Sequence, residues 1–134
     1  MSRLTAITLT LLTLVMPVFA HHGTPNSYDN SKLITNHATV TGFEFTNPHV
    51  RIFFDTKDEK GNVRHWSGEM ANPAQYIRGG WGKKRSDQAL KPGTEITISY
   101  YLSKVEEHLP QDIGAALIVR IRDAKNEQVL LDRN

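Results

Sequence analysis

A chain of 134 residues, 39% of them apolar and 22% charged, has the size and balance of one globular domain, which excludes a disordered tail and a membrane bundle. It contains no cysteine, so disulfides, thiolate metal sites and cysteine nucleophiles are excluded as well. A formal net charge of +2 gives no support for a polyanionic partner.

Residues 1–20 stand apart from the rest. Arg3 precedes an apolar and threonine-rich run from Leu4 to Phe19, and Val18-Phe19-Ala20 places suitable residues at the −3 and −1 positions of a cleavage site. This is the pattern of a secretory signal peptide cut after Ala20. The run is shorter than the ~20 apolar residues of a membrane anchor. It also contains Pro17 and leads into polar His21-His22-Gly23-Thr24. No membrane span is therefore expected after cleavage, and the product is expected to be periplasmic or secreted. The mature chain would begin at His21 with 15 basic and 14 acidic side chains, a net charge of +1.

Residues 21–31 form a polar N-terminal segment without a core pattern, its one aromatic being Tyr28. A single β domain is expected over 32–134. In its first strand Ala38 and Val40 have one parity and Phe43 and Phe45 the other, and a β-bulge at Gly42 would put all four on one face. Asn47-Pro48 then breaks the ladder, because proline lacks a donor and restricts the residue before it. A second strand follows from Val50 to Asp55. Its polar hairpin, Asp58 to Asn62, leads to a third strand, Val63 to Met70, with Trp66 and Met70 inward.

Asn72-Pro73 reads as an N-cap and first helical residue, and Gly79-Gly80 as the stop of a short helix, with Trp81 folding back over the barrel. The cluster Lys83-Lys84-Arg85 is expected in a solvated loop. Leu90 to Thr94 turns the chain into a strand with Ile96, Ile98 and Tyr100 inward and Leu102 as a further candidate, and a loop around Lys104 to Ile113 precedes a last long strand. There Leu117, Val119 and Ile121 are expected inward, alternating with Ile118, Arg120 and Arg122. A short end strand spans Gln128 to Leu131. The predicted fold is all-β: a small OB-like barrel of five to six strands, with one short helix between the third and fourth. A small open β-sandwich is the alternative.

His21-His22, Tyr28-Asp29, Thr41-Gly42, Thr46-Asn47-Pro48-His49-Val50, Trp66, Pro73 to Trp81 and Leu90 to Gly93 together resemble one family. It consists of small exported bacterial proteins of unknown function with a His-His start and a Thr-Asn-Pro-His-Val turn. The resemblance implies export and a small β-rich domain, and brings no activity. Lys83-Lys84-Arg85 and the Tyr101 to Asp112 segment depart from the family pattern.

The chemistry legible in the residues centres on histidine. Cleavage after Ala20 would give His21 a free α-amine beside its imidazole, and an amine with a pKa near 8 gives up its proton to a metal at modest cost. His22 adds a second imidazole and His49, held behind Pro48, a third. Such nitrogen ligands suit copper(II), nickel(II) or zinc(II), with copper highest in the affinity order. The candidate site is therefore a copper or other transition-metal site of His21, His22 and His49, with His65 and Glu69 as further ligands or supporting groups. Set against it is the plain reading, in which His-His after a signal is ordinary polar sequence and His49 serves only its turn. His37 and His108 have no ligand spacing.

The competing class is a metal-free envelope protein-interaction module working through the barrel rim or the Tyr101 to Asp112 loop. Nucleic acid is not expected as a partner, since Lys83-Lys84-Arg85 lacks interleaved aromatics. No Gly-x-Ser-x-Gly or His-Glu-x-x-His pattern marks an enzyme, and no catalytic residue is assigned.

Overall fold

The computed structural model describes residues 27–104 and 113–133. Its elements run β1 (Ile34–Glu44), β2 (Arg51–Lys57), β3 (Val63–Glu69), α1 (Pro73–Arg78), α2 (Lys83–Ala89), β4 (Glu95–Leu102), β5 (Ile113–Asp123) and β6 (Val129–Asp132). The sheet order is β3-β2-β1-β4-β5-β6, and a further parallel pairing of β3 with β5 closes the first five strands into a barrel. β6 lies outside it on β5. The OB-like barrel is thus present, and closure excludes the open sandwich. No helix among the described residues is long and apolar enough to cross a membrane.

The bend of β1 follows its sequence. Val40 pairs with Phe54 and Gly42 with Phe53, so Thr41 is the extra residue of a bulge. That phase change puts Phe43 opposite buried Ile52, on the face already occupied by Ala38 and Val40. Phe43 and Phe45, with ring centroids 6.4 Å apart, pack against this core half-buried.

The last long strand differs from expectation. Tyr100 pairs with Ile118 and Ser99 with Arg120, leaving Val119 as a bulge. Ala116 and Ile118 therefore join Ile121 in the core, and Val119 does not face it. Ile121 is buried as expected and Leu117 is buried as well, but strict alternation misplaced Val119 and Ile118, because the bulge carries no glycine or proline to announce it.

A second difference is α2, where a loop was expected around Lys83-Lys84-Arg85. The helix is capped by the Gly82 backbone and delivers Leu90, fully buried, to the core. Its inward residue is Ser86, so no apolar period is visible over these positions. Two of the three cations have local partners: Lys83 Nζ lies 2.5 Å from Asp87 Oδ2, and the Arg85 guanidinium lies 3.9 Å from the Trp81 ring centre. α1 matches its sequence signals, with the Asn72 side chain accepting from the Gln75 amide at 3.0 Å.

The core is aromatic at its centre. Trp66 stacks on Phe54 with centroids 5.9 Å apart and planes 6° from parallel, and Tyr100 tilts against both. The Trp66 indole N–H donates to Thr56 Oγ1 at 2.9 Å, which satisfies the polar atom that this burial would otherwise orphan.

Two glycines make room at the closing seam. A Cβ on Gly114 would overlap Trp66 Cε3 and Cζ3, and one on Gly68 would lie 2.6 Å from Ile118 Cδ1. Gly114→Ala or Gly68→Ala is expected to cost about 1–3 kcal/mol by overpacking. In a domain this size each kcal/mol lowers Tm by about 4–8 °C. A calorimetric midpoint that stayed at the wild-type value would refute this account of the seam.

Candidate functional site

On the outer face of the barrel, the β1–β2 turn and the neighbouring strands enclose an open cleft of about 420 Å³. The turn contributes Thr46, Asn47, Pro48 and His49, with the Asn47–Pro48 peptide bond cis. Arg51 on β2, Ser67 and Glu69 on β3 and Ala115 on β5 supply the floor, and Tyr28 closes one side. Alternation explains the floor. Trp66, Gly68 and Met70 turn inward, so Ser67 and Glu69 must turn outward, and Arg51 stands opposite Glu69 in the register.

His49 is held by its neighbours. Val50 is fully buried and exchanges backbone hydrogen bonds with the chain beyond β3, its amide donating to Ala71 O and its carbonyl accepting from the Met70 amide. This fixes the histidine at the cleft edge, where Nδ1 lies 3.2 Å from the Met70 carbonyl oxygen. A carbonyl only accepts, so Nδ1 donates in this contact, and in the neutral ring Nε2 is the nitrogen with the lone pair. Glu69 Oε1 lies 3.7 Å from the same Nδ1.

Glu69 also reaches the N-terminal segment. The Tyr28 phenol donates to Glu69 Oε2 at 2.9 Å, and Tyr28 itself is buried. The segment carrying it is tied to the end of β4: Asp29 N donates to Leu102 O at 2.8 Å, Lys104 N to Ser27 O at 2.9 Å, and Tyr28 bridges Ser103. Ser31 donates from both its amide and its hydroxyl to Asp29 Oδ1, which holds the Asp29 carboxyl below the usual carboxylate range. Burial, then the Glu69 hydrogen bond and charge, push the Tyr28 phenol well above its ordinary value, with the Arg133 charge opposing. The Tyr76 phenol, buried beside Ala71, is also raised, chiefly by desolvation.

Of the residues singled out from sequence, His49 and Glu69 are brought together. His65 is not with them: its Nδ1 lies 2.6 Å from Asp55 Oδ1, and it stands four positions from Glu69 on β3, about 13 Å along the strand. His37 sits beside Thr97, with Nδ1 3.4 Å from its hydroxyl. His21, His22 and His108 lie outside the described residues. Among the described residues no group of three or more His, Cys, Asp or Glu side chains gathers at one point. The cleft by itself thus presents one imidazole nitrogen and one already bonded carboxylate. Sequence reading missed Tyr28 as a cleft residue, although a single aromatic in a polar stretch was the available signal.

The folded chain holds the Tyr28 proton more tightly than the unfolded chain does. Its stabilising effect is therefore complete below about pH 10, the ordinary phenol range, and is lost as pH rises beyond it. Denaturant unfolding should show stability falling more steeply between about pH 10 and pH 11 in the wild type than in Tyr28→Phe. Equal slopes in the two proteins would contradict the buried phenol.

No curated protein and no solved structure matches the chain. A family match does, and it spans residues 9–109, which takes in the turn, His49, Glu69 and Tyr28. Since that match covers most of the 134 residues, the chain belongs to the Family of unknown function (DUF6152).

Proposed function

We propose that this protein is exported, loses residues 1–20, and binds a transition metal, copper(II) above others, through the new N-terminus at His21, His22 and His49. The observation that carries the reading is the hydrogen bond from His49 Nδ1 to the Met70 carbonyl. Metal-binding histidines characteristically donate one ring N–H to a carbonyl or carboxylate, which fixes the tautomer and leaves the other nitrogen as the ligand. His49 has that arrangement at the edge of an open cleft.

Chain length allows the remaining ligands to come from the N-terminus. Ser27 is fixed beside Lys104, next to cleft residue Tyr28. Only six residues, 21–26, precede it in the mature chain, with an extended reach of about 20 Å. The His21 amine and imidazole would supply a chelate, His22 and His49 further imidazoles, and copper(II) favours such nitrogen donors. Glu69, with one oxygen bonded to Tyr28 and the other near His49, suits a supporting role better than a ligand's. The protein would then act as a binding or delivery module in the periplasm.

Mature protein beginning at His21, titrated with copper(II) against a competing chelator, is the test. His49→Ala, and separately one extra residue ahead of His21, should each weaken binding by at least the about 10–100-fold that accompanies loss of a supporting group. Unchanged affinity in both would sink the metal reading and favour the metal-free envelope interaction module.

A further inference from the structure

We infer that Tyr28 and Glu69 form a clasp that sets where the N-terminal segment meets the cleft, which makes them positioning residues for metal held at His49. This rests on the metal reading above. One carboxylate spans two parts of the molecule: Oε2 accepts from the Tyr28 phenol at 2.9 Å and Oε1 lies 3.7 Å from His49 Nδ1. The N-terminal segment is thus tied to a carboxylate that borders the His49 ring, which the Met70 carbonyl orients.

The clasp acts on backbone that is already aligned. Asp29 N and Lys104 N make the hydrogen bonds that dock the segment on the end of β4, on either side of the Tyr28–Ser103 bridge. Without the phenol contact, that docking rests on short backbone pairings at the edge of a barrel whose other strands are long. Tyr28 is buried at the cleft wall, and the hydroxyl is the only polar atom of that side chain, so the bond to Glu69 satisfies it. A residue that only filled space on this face would need no hydroxyl. Its partner would also need no second oxygen beside a candidate ligand.

Amide exchange on the metal-free mature protein, combined with copper(II) affinity, tests the inference. Tyr28→Phe keeps the ring and drops the hydroxyl. It should speed exchange at the Asp29 and Lys104 amides about 10-fold, a lost hydrogen bond's worth of local stability. Core amides such as those of Ile52 and Ile121 should be unaffected. Copper(II) binding should weaken about 10-fold, at the lower end of what ligand-orienting groups contribute. Glu69→Ala should do the same, whereas Glu69→Gln, whose amide oxygen still accepts from the phenol, should restore most of the exchange protection.

Unchanged exchange at Asp29 and Lys104 in Tyr28→Phe overturns the clasp, whatever copper does. Faster exchange with unaltered copper affinity overturns the positioning role and reduces the contact to packing. Wild-type protein that binds no copper overturns the metal reading, and the positioning role with it, while the exchange rates still decide whether the clasp exists.

Discussion

The fold depends on a close approach at the seam where β3 meets β5. Trp66 and Gly114 are register partners there, as are Gly68 and Ala116. A small barrel has room inside for few large side chains, and large residues must be set against small ones across each layer. Trp66 fills the middle by lying over a glycine, and Ile118 does the same over Gly68. The stacked Phe54, the tilted Tyr100 and the indole bond to Thr56 all refer to the position of that one ring. Closure by the parallel β3–β5 pairing and burial of Trp66 are in this sense coupled, since a bulkier residue at position 114 would press on the indole at the seam.

Closure also builds the outer face. Each residue of β3 that turns into the barrel obliges its neighbour to turn out, so Ser67 and Glu69 emerge between Trp66, Gly68 and Met70. The turn from Asn47 to Val50 is pinned from the same strand end, because Val50 is buried and bonded to the backbone of Met70 and Ala71. The carbonyl that orients His49 therefore belongs to a residue whose side chain is in the core. Arg51 faces Glu69 across the strands, yet its guanidinium bonds Glu44, with Nε 3.0 Å from Oε2. That diversion leaves Glu69 to Tyr28 and His49.

Much of this architecture was legible in the order of residues. Gly42 between two phase-shifted apolar pairs announced the β1 bulge, and Asn72-Pro73 announced α1, because both features act through local backbone preferences. Where local signals were absent, the reading erred. The bulge at Val119 involves an ordinary β-branched residue, and only pairing with β4 reveals that the strand has slipped phase there. α2 shows the core a serine, so its amphipathic period is missing although Leu90 after it is fully buried. Tyr28 lies in a polar stretch, and its partners in the fold are Ser103 and Glu69, each far from it along the chain.

The sequence by itself determined a β-rich domain, the inward face of β3, the turn that carries His49, and the placing of two histidines ahead of a polar segment. All of these follow from side-chain periodicity and the conformational limits of glycine and proline, which are properties of neighbouring residues. Only the tertiary structure decided that His65 pairs with Asp55 away from the cleft and that His49 shares Glu69 with Tyr28. Those outcomes depend on strand register and on barrel closure. Both bring together residues separated by tens of positions, and no local pattern records which of several equally polar side chains will meet.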